Sequence, residues 1–131
     1  MIDATGYDAV VAMFRGRFAV LGPSNHFTHD RLVDFDAADP DRANGLVLSH
    51  AEMQRQGRPM LAAIRYQDVY RRVDGRWKFA ERGLSFMYYV PTTEYLDAFG
   101  AGLDRRMRAY ESPRPADWPE NLPTWKRYYA A

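Results

Sequence analysis

The stretch Tyr66-Gln67-Asp68-Val69-Tyr70-Arg71-Arg72-Val73-Asp74-Gly75-Arg76-Trp77-Lys78-Phe79 decides how the rest of this chain is read. Aromatic and β-branched residues alternate with polar ones on both sides of Asp74-Gly75. Asp-Gly between two such runs is the strongest short signal for a two-residue hairpin turn with positive φ at both central positions. It predicts strands over roughly 60–73 and 76–90 and sets their register. Val73 falls opposite Arg76, Arg72 opposite Trp77 and Tyr70 opposite Phe79. An unbroken two-residue period then puts Asp68 opposite Glu81, Tyr66 opposite Gly83 and Ile64 opposite Ser85. That face carries the aromatic bulk and is expected to look toward the core. Arg65, Gln67, Arg71, Lys78 and Arg82 fall on the reverse, polar side, and Arg72 is expected to stack on Trp77.

Working outward toward the N-terminus, Gly57 marks a turn, and 44–54 reads as a strand in which Leu46 and Leu48 alternate with smaller residues. The polar run 36–41 separates it from a strand over 26–35, where Phe27, Val33 and Phe35 share a face. Before that the period changes to helical. Thr5 and Asp8 suggest a capping box, Val10, Met13, Phe14, Phe18 and Leu21 form one apolar stripe, and Gly22-Pro23 ends the helix. Toward the C-terminus a second helix is predicted from Thr92 or Thr93, with Leu96, Phe99, Leu103, Met107 and Tyr110 on one face. Gly100 and Gly102 weaken it by about 1 kcal/mol each relative to alanine. The run Arg105-Arg106-Met107-Arg108, flanked by Asp97, Asp104 and Glu111, reads as the solvated side of that helix. The segment 112–131 combines four prolines with Trp118, Trp125, Tyr128 and Tyr129, the composition of an extended arm that docks on something.

The 131 residues suit one domain, and 47% hydrophobic with 15% aromatic content is enough for one packed core. Eighteen cationic side chains against 17 anionic ones leave a net charge of +1, so no one-signed field draws nucleic acid or a membrane. There is no cysteine, which removes disulfides, zinc fingers and thiol nucleophiles. No apolar run reaches the roughly 18 residues of a membrane span, and Met1-Ile2-Asp3 does not open like a signal peptide. A cytoplasmic location is the expectation.

The segments His26-Phe27-Thr28-His29-Asp30, Gly45-Leu46-Val47-Leu48-Ser49-His50, Tyr66 to Tyr70 and Asp74 to Arg82 together resemble the SnoaL-like branch of the nuclear transport factor 2 superfamily. The resemblance runs from Gly6 to about Tyr89. It implies an α+β fold in which a cone-like, curved antiparallel (mixed) sheet wraps helices around a mostly apolar pocket. It also implies cofactor-free acid–base chemistry of the cyclase, isomerase or dehydratase type. Family members carry two helices and a short strand ahead of the helix found here at Gly6. The sequence is therefore expected to be a shortened variant, or to start inside a longer gene.

Three constellations carry candidate chemistry. His26 and His29 begin one strand and His50 lies on the next, so a hairpin loop at 36–43 brings His29 near His50. Histidine is poised for proton transfer near neutral pH, and the scytalone dehydratase branch places histidines on successive strands in a similar way. The structural alternative is a satisfied polar group. Asp68 opposite Glu81 would form a carboxylate pair that raises one pKa, unless an arginine at the sheet rim neutralises it. Tyr66, with Tyr70, could donate to an oxyanion, although strand tyrosines are more often core.

The reading assigns catalysis to His29 or His50 with Asp68 and Tyr66. Phe14, Phe18, His26, Leu48, Ile64, Phe79 and Glu81 are assigned to the pocket wall. No third ligand at a recognisable spacing joins the histidines, so no metal is expected, and the absence of a Gly-rich phosphate loop argues against a cofactor. The expected partner is a small hydrophobic or polyketide-like molecule, within a homodimer formed through the arginine-rich sheet face. A non-catalytic ligand-binding or dimerisation module is the alternative.

Overall fold

The computed structural model describes residues 3–130. Helix α1 (Tyr7–Phe18) is followed by four long strands, β1 (Leu21–Phe35), β2 (Arg42–Arg55), β3 (Arg58–Val73) and β4 (Arg76–Pro91). Two short helices follow, α2 (Tyr95–Phe99) and α3 (Pro123–Tyr129), with single 3₁₀ turns at Thr92–Glu94 and Leu103–Arg105. The strands form one antiparallel sheet in the order β1-β2-β3-β4, an α+β architecture. Two of its connections are tight two-residue turns, Gln56-Gly57 (φ 48° and 77°) and Asp74-Gly75 (φ 52° and 72°). All four residues lie where type I′ geometry puts them.

The hairpin register holds near its turn: Val73 pairs with Arg76, Arg72 with Trp77 and Tyr70 with Phe79. It then slips. Val69 pairs with Glu81 while Tyr70 pairs with Phe79, so Ala80 is an extra residue on β4. A second slip leaves Met87 extra between the pairs Ile64–Phe86 and Ala63–Tyr88. Asp68 therefore faces Arg82, Tyr66 faces Leu84 and Ile64 faces Phe86, in place of Glu81, Gly83 and Ser85. The two-residue period carries no mark of a bulge, and each bulge turns every later side chain to the other side of the sheet.

Between β2 and β3 the pairing is unbroken from Arg42–Arg71 to Arg55–Arg58, so the faces of these two strands follow from parity alone. One face carries Ala43, Ala51 and Met53 of β2, Met60, Ala62, Ile64, Tyr66, Asp68 and Tyr70 of β3, and Phe79, Arg82, Phe86 and Tyr89 of β4. It is called here the Tyr66 face. Ala51, Met53, Met60, Ala62, Ile64 and Tyr89 pack there with Met107, Ala109 and Ala116 from the C-terminal segment. The opposite, His50 face buries Ala63, Tyr88 and Val90 against Ala98 of α2.

Both terminal regions depart from the expected helices. The long second helix does not form: α2 ends at Phe99, immediately before Gly100 and Gly102, and Leu96 is 84% exposed. The chain instead runs along the free edge of β4. The Tyr89 N–H donates to the Arg106 carbonyl, the Arg108 N–H donates to Tyr89, and Asp117 exchanges bonds with both backbone groups of Phe86. Main-chain pairing of that edge outweighs a helix already weakened by two glycines.

Arg106, read as solvated, is 4% exposed. Its guanidinium donates to the Met87 and Trp118 carbonyls and to both oxygens of Glu120. The arm thus docks on its own chain as far as Glu120, with the Trp118 ring under the Arg65 guanidinium at 4.8 Å. Ala131, the last residue of the expected arm, lies outside the described residues.

At the other end, α1 is capped by Gly6 at φ 86° with no side-chain bond, so the Thr5/Asp8 capping box is not formed. Helix α1 buries none of its residues, leaving Phe14 43% and Phe18 66% exposed. It stops at Phe18, and Gly22-Pro23 lie within β1.

Candidate functional site

The polar residues of the Tyr66 face form a connected group midway along an otherwise apolar surface. Asp68 is 3% exposed, and its carboxylate accepts two bonds from Arg82, Nε and Nη2, each at 2.8 Å. The Tyr70 hydroxyl adds a third bond at 2.9 Å. A buried carboxylate without such partners would be very costly, and a bidentate arginine is the geometry that best meets its lone pairs. The Arg82 guanidinium lies over the rings of Tyr66 (4.5 Å) and Phe79 (4.2 Å), which fixes its plane. Tyr70 reaches Asp68 only because Gly45 lies beneath its ring: a Cβ there would lie 2.5 Å from Tyr70 Cε2.

Above this group the Tyr66 hydroxyl is 3.4 Å from His26 Nδ1. His26 pairs with Ala51 and so belongs to the same face. Burial raises the Tyr66 phenol pKa, with the nearby Arg82 and Arg17 charges opposing the shift. Burial, then the bond to Asp68, raises that of Tyr70. Both phenols are therefore hydrogen-bond donors at neutral pH. The bond to Asp68, working against burial, raises the Arg82 guanidinium pKa, so its charge is permanent. Farther along the same face, Val33, Phe35, Ala43, Tyr70 and Trp77 line an apolar cavity of about 220 Å³.

His29 and His50 do meet, with Nε2 of one 2.7 Å from Nδ1 of the other. They meet on the wrong side for a joint site with Tyr66 and Asp68. His50 pairs with Ala63, three residues from Tyr66 on an unbroken strand, and so points to the opposite face. His29 joins it by parity, because Phe27 pairs with His50 and Thr28 with Ser49, which leaves the next residue of β1 on the His50 face. The pair lines a cavity of about 250 Å³ with Asp30, Leu48, Ala63 and Trp118.

Among the other expected wall residues, Ile64 is buried in the core of the Tyr66 face and Phe79 flanks Arg82. Glu81 pairs with Val69 on the His50 face, so it forms no carboxylate pair with Asp68. The arginine that neutralises Asp68 is Arg82, which sequence reasoning put on the outer side. The only signal that could have moved it was the bulge at Ala80. Among the described residues no group of three or more His, Asp or Glu side chains is arranged to hold a metal ion.

A family profile for the SnoaL-like domain matches residues 2–83. The chain belongs to the SnoaL-like domain family. Solved structures with the same nuclear transport factor 2-like fold include a scytalone dehydratase-like protein of Novosphingobium aromaticivorans. It has a TM-score of 0.61 and 24% identity over 69% of this chain and 60% of that one. A type 2 hexachlorocyclohexane dehydrochlorinase (LinA) has a TM-score of 0.61 and 20% identity over 67% and 60%. A type 3 LinA from Novosphingobium barchaimii has a TM-score of 0.56 and 18% identity over 64% and 58%. The chain spans about 60% of the length of these proteins. No functionally curated protein matches it in sequence. The family resemblance and the sheet therefore agree, and the four-stranded curved antiparallel sheet is that of the SnoaL-like fold.

Proposed function

We propose that the Tyr66 face binds a small, largely apolar molecule and catalyses a cofactor-free elimination, the chemistry of a lyase. The observation that carries this reading is the juxtaposition of His26 with the Tyr66 hydroxyl, on the same face as the charge-fixed Asp68–Arg82 pair. The named relatives, a dehydratase and two dehydrochlorinases, are by name enzymes that eliminate water or hydrogen chloride. Such a step needs a base for the C–H proton and a donor for the departing group. His26 is the base and takes the proton; the electron pair becomes the new double bond. The Tyr66 hydroxyl and the Arg82 guanidinium stabilise the negative charge that builds on the leaving hydroxide or chloride, or on an enolate oxygen. Asp68 is a positioning residue: its lone pairs are taken by Arg82 and Tyr70, which removes it as a base.

In this reading His29 and His50 have no part in the reaction. The apolar cavity lined by Phe35 and Trp77 supports a hydrophobic substrate. The protein acts as a homodimer in the cytoplasm; the exposed aromatic surface at the hairpin ends supports association.

The test uses purified protein with two substrates, scytalone followed by absorbance and hexachlorocyclohexane followed by chloride release. His26→Gln should lower either elimination by about 10²–10⁴-fold, and His50→Gln should leave it within about 2-fold, a difference of no more than roughly 0.4 kcal/mol in barrier. Loss of activity in the His50 variant with full activity in the His26 variant would place the chemistry on the other face.

A further inference from the structure

Helix α3 takes no part in either packed face: it buries none of its residues. Its sequence, Pro123-Thr124-Trp125-Lys126-Arg127-Tyr128-Tyr129, starts with the proline that favours a helix N-terminus. Leu122, Trp125 and Tyr129 follow at i, i+3 and i+7, with Tyr128 beside them. At about 100° per residue the three rings fall within roughly a 100° arc, with Lys126 on one flank of it and Arg127 on the opposite side of the helix. The rings touch one another, Trp125 to Tyr129 at 4.8 Å and Tyr128 to Tyr129 at 5.1 Å, yet Tyr128 and Tyr129 are 77% and 67% exposed. Neither cation forms an ion pair among the described residues, whereas Glu120, the nearest preceding acid, is taken by Arg106. From Asn121 to Ala130 there is no acidic residue at all.

We propose that α3 is an interfacial anchor that lays its aromatic side into the headgroup region of an anionic lipid surface. Tyrosine and tryptophan, with an apolar body and a polar tip, are the residues that settle at that depth. Lys126 on the flank then meets the negative headgroups, and Arg127 on the water side adds attraction to the anionic surface. Charge complementarity selects this occupant: the segment carries two cations and no anion. Segregation of rings from cations argues against single-stranded nucleic acid, whose bases stack on rings interleaved with cations and with their faces open. The +1 charge of the whole chain hid this feature, because a local cationic segment is averaged away in a global sum.

The experiment is sedimentation of the full chain with vesicles of phosphatidylcholine alone and of phosphatidylcholine with about 30% phosphatidylglycerol, at low and high salt. Binding should be at least about 5-fold stronger on the anionic vesicles and should largely disappear near ~0.5 M salt, where charges are screened within a few ångströms. Trp125 should be quenched by brominated lipid. The triple variant Trp125→Ala, Tyr128→Ala, Tyr129→Ala and the double variant Lys126→Glu, Arg127→Glu should each abolish binding. The Lys126→Glu, Arg127→Glu variant replaces only exposed side chains and should keep the thermal transition of the parent, which separates loss of the anchor from loss of the fold; Trp125 is 37% exposed, so the triple variant is read beside it. Equal binding to both vesicle types, or anionic binding that survives both sets of substitutions, overturns the proposal. So does lipid-independent self-association, or oligonucleotide binding, that the same substitutions remove in place of vesicle binding.

Discussion

Asp68 shows what a single residue demands of its neighbours. Its side chain is fully buried, while its partner Arg82 remains 37% exposed. Arg82→Met should therefore destabilise the fold by about 2–3 kcal/mol, below the roughly 3–5 of a fully enclosed pair because water can still reach the vacated side. Adding Asp68→Asn to that variant should recover a large part of the loss in urea denaturation, since the cost lies in the orphaned carboxylate. Additive losses would mean that the two side chains are not coupled. Gly45→Ala is the companion case. Its Cβ would collide with the Tyr70 ring, so the ring must lift and its hydroxyl must leave Asp68. The expected cost is about 1–3 kcal/mol, as for other overpacked sites, and it should shrink when Tyr70 is already Phe. Tyr66 and Asp68 were readable as polar residues on an aromatic face. The role of Gly45 was not, because a glycine in a strand does not say which ring will lie on it.

At the scale of elements, bulges decided what could be read. The strands, both tight turns and the first pairs of the β3–β4 hairpin follow from alternation and Asp-Gly alone. Everything beyond Ala80 in β4 does not, because one unpaired residue exchanges the faces. This makes a direct test. Deleting Ala80 should remove the unpaired residue while Glu81 stays opposite Val69 and Arg82 stays opposite Asp68. The ladder then alternates strictly and the ion pair is kept, so stability in urea denaturation should stay within about 1 kcal/mol of the parent. A loss of several kcal/mol would mean that the bulge itself is needed to seat Arg82 on the buried carboxylate. The same logic explains His50. Its meeting with His29 was legible from the loop between β1 and β2, but its separation from Tyr66 depends on parity through the turn at Gln56-Gly57. The helices were the least legible elements. Apolar spacing in α1 and beyond Thr92 is real, yet burial of an apolar stripe is settled by tertiary partners, and edge pairing along β4 claimed the second segment.

For the molecule as a whole, the C-terminal arm closes one sheet edge, and the Arg106–Glu120 pair holds it there. Glu120 has its pKa lowered, first by the hydrogen bond from Arg106 and against a smaller opposing effect of burial. A group whose folded pKa is depressed contributes stability that is present above its unfolded value of 4.5 and is lost as pH falls through the folded value. Docking of the arm should therefore be constant near neutrality and weaken in acid, once the free carboxylate takes up a proton that the docked one refuses. Asp36 is also lowered, first by the Ala38 amide and then by Arg42, and Asp39 first by Arg71 and then by the Asp41 amide, at the far end of the sheet, so global unfolding in acid will mix both ends. A local probe separates them. With 5-fluorotryptophan, the Trp118 resonance should move between pH 6 and pH 3.5 before global unfolding, as its ring leaves Arg65, while Trp77 near the far turn stays in place. Glu120→Gln should show part of that displacement already at pH 6 and should flatten the titration. Arg106→Lys should shift it to higher pH, because one ammonium cannot replace a bidentate guanidinium. If Trp118 stays fixed until the whole chain unfolds, or if Glu120→Gln titrates like the parent, then the backbone bonds at Tyr89 and Phe86 hold the arm and the ion pair only decorates it.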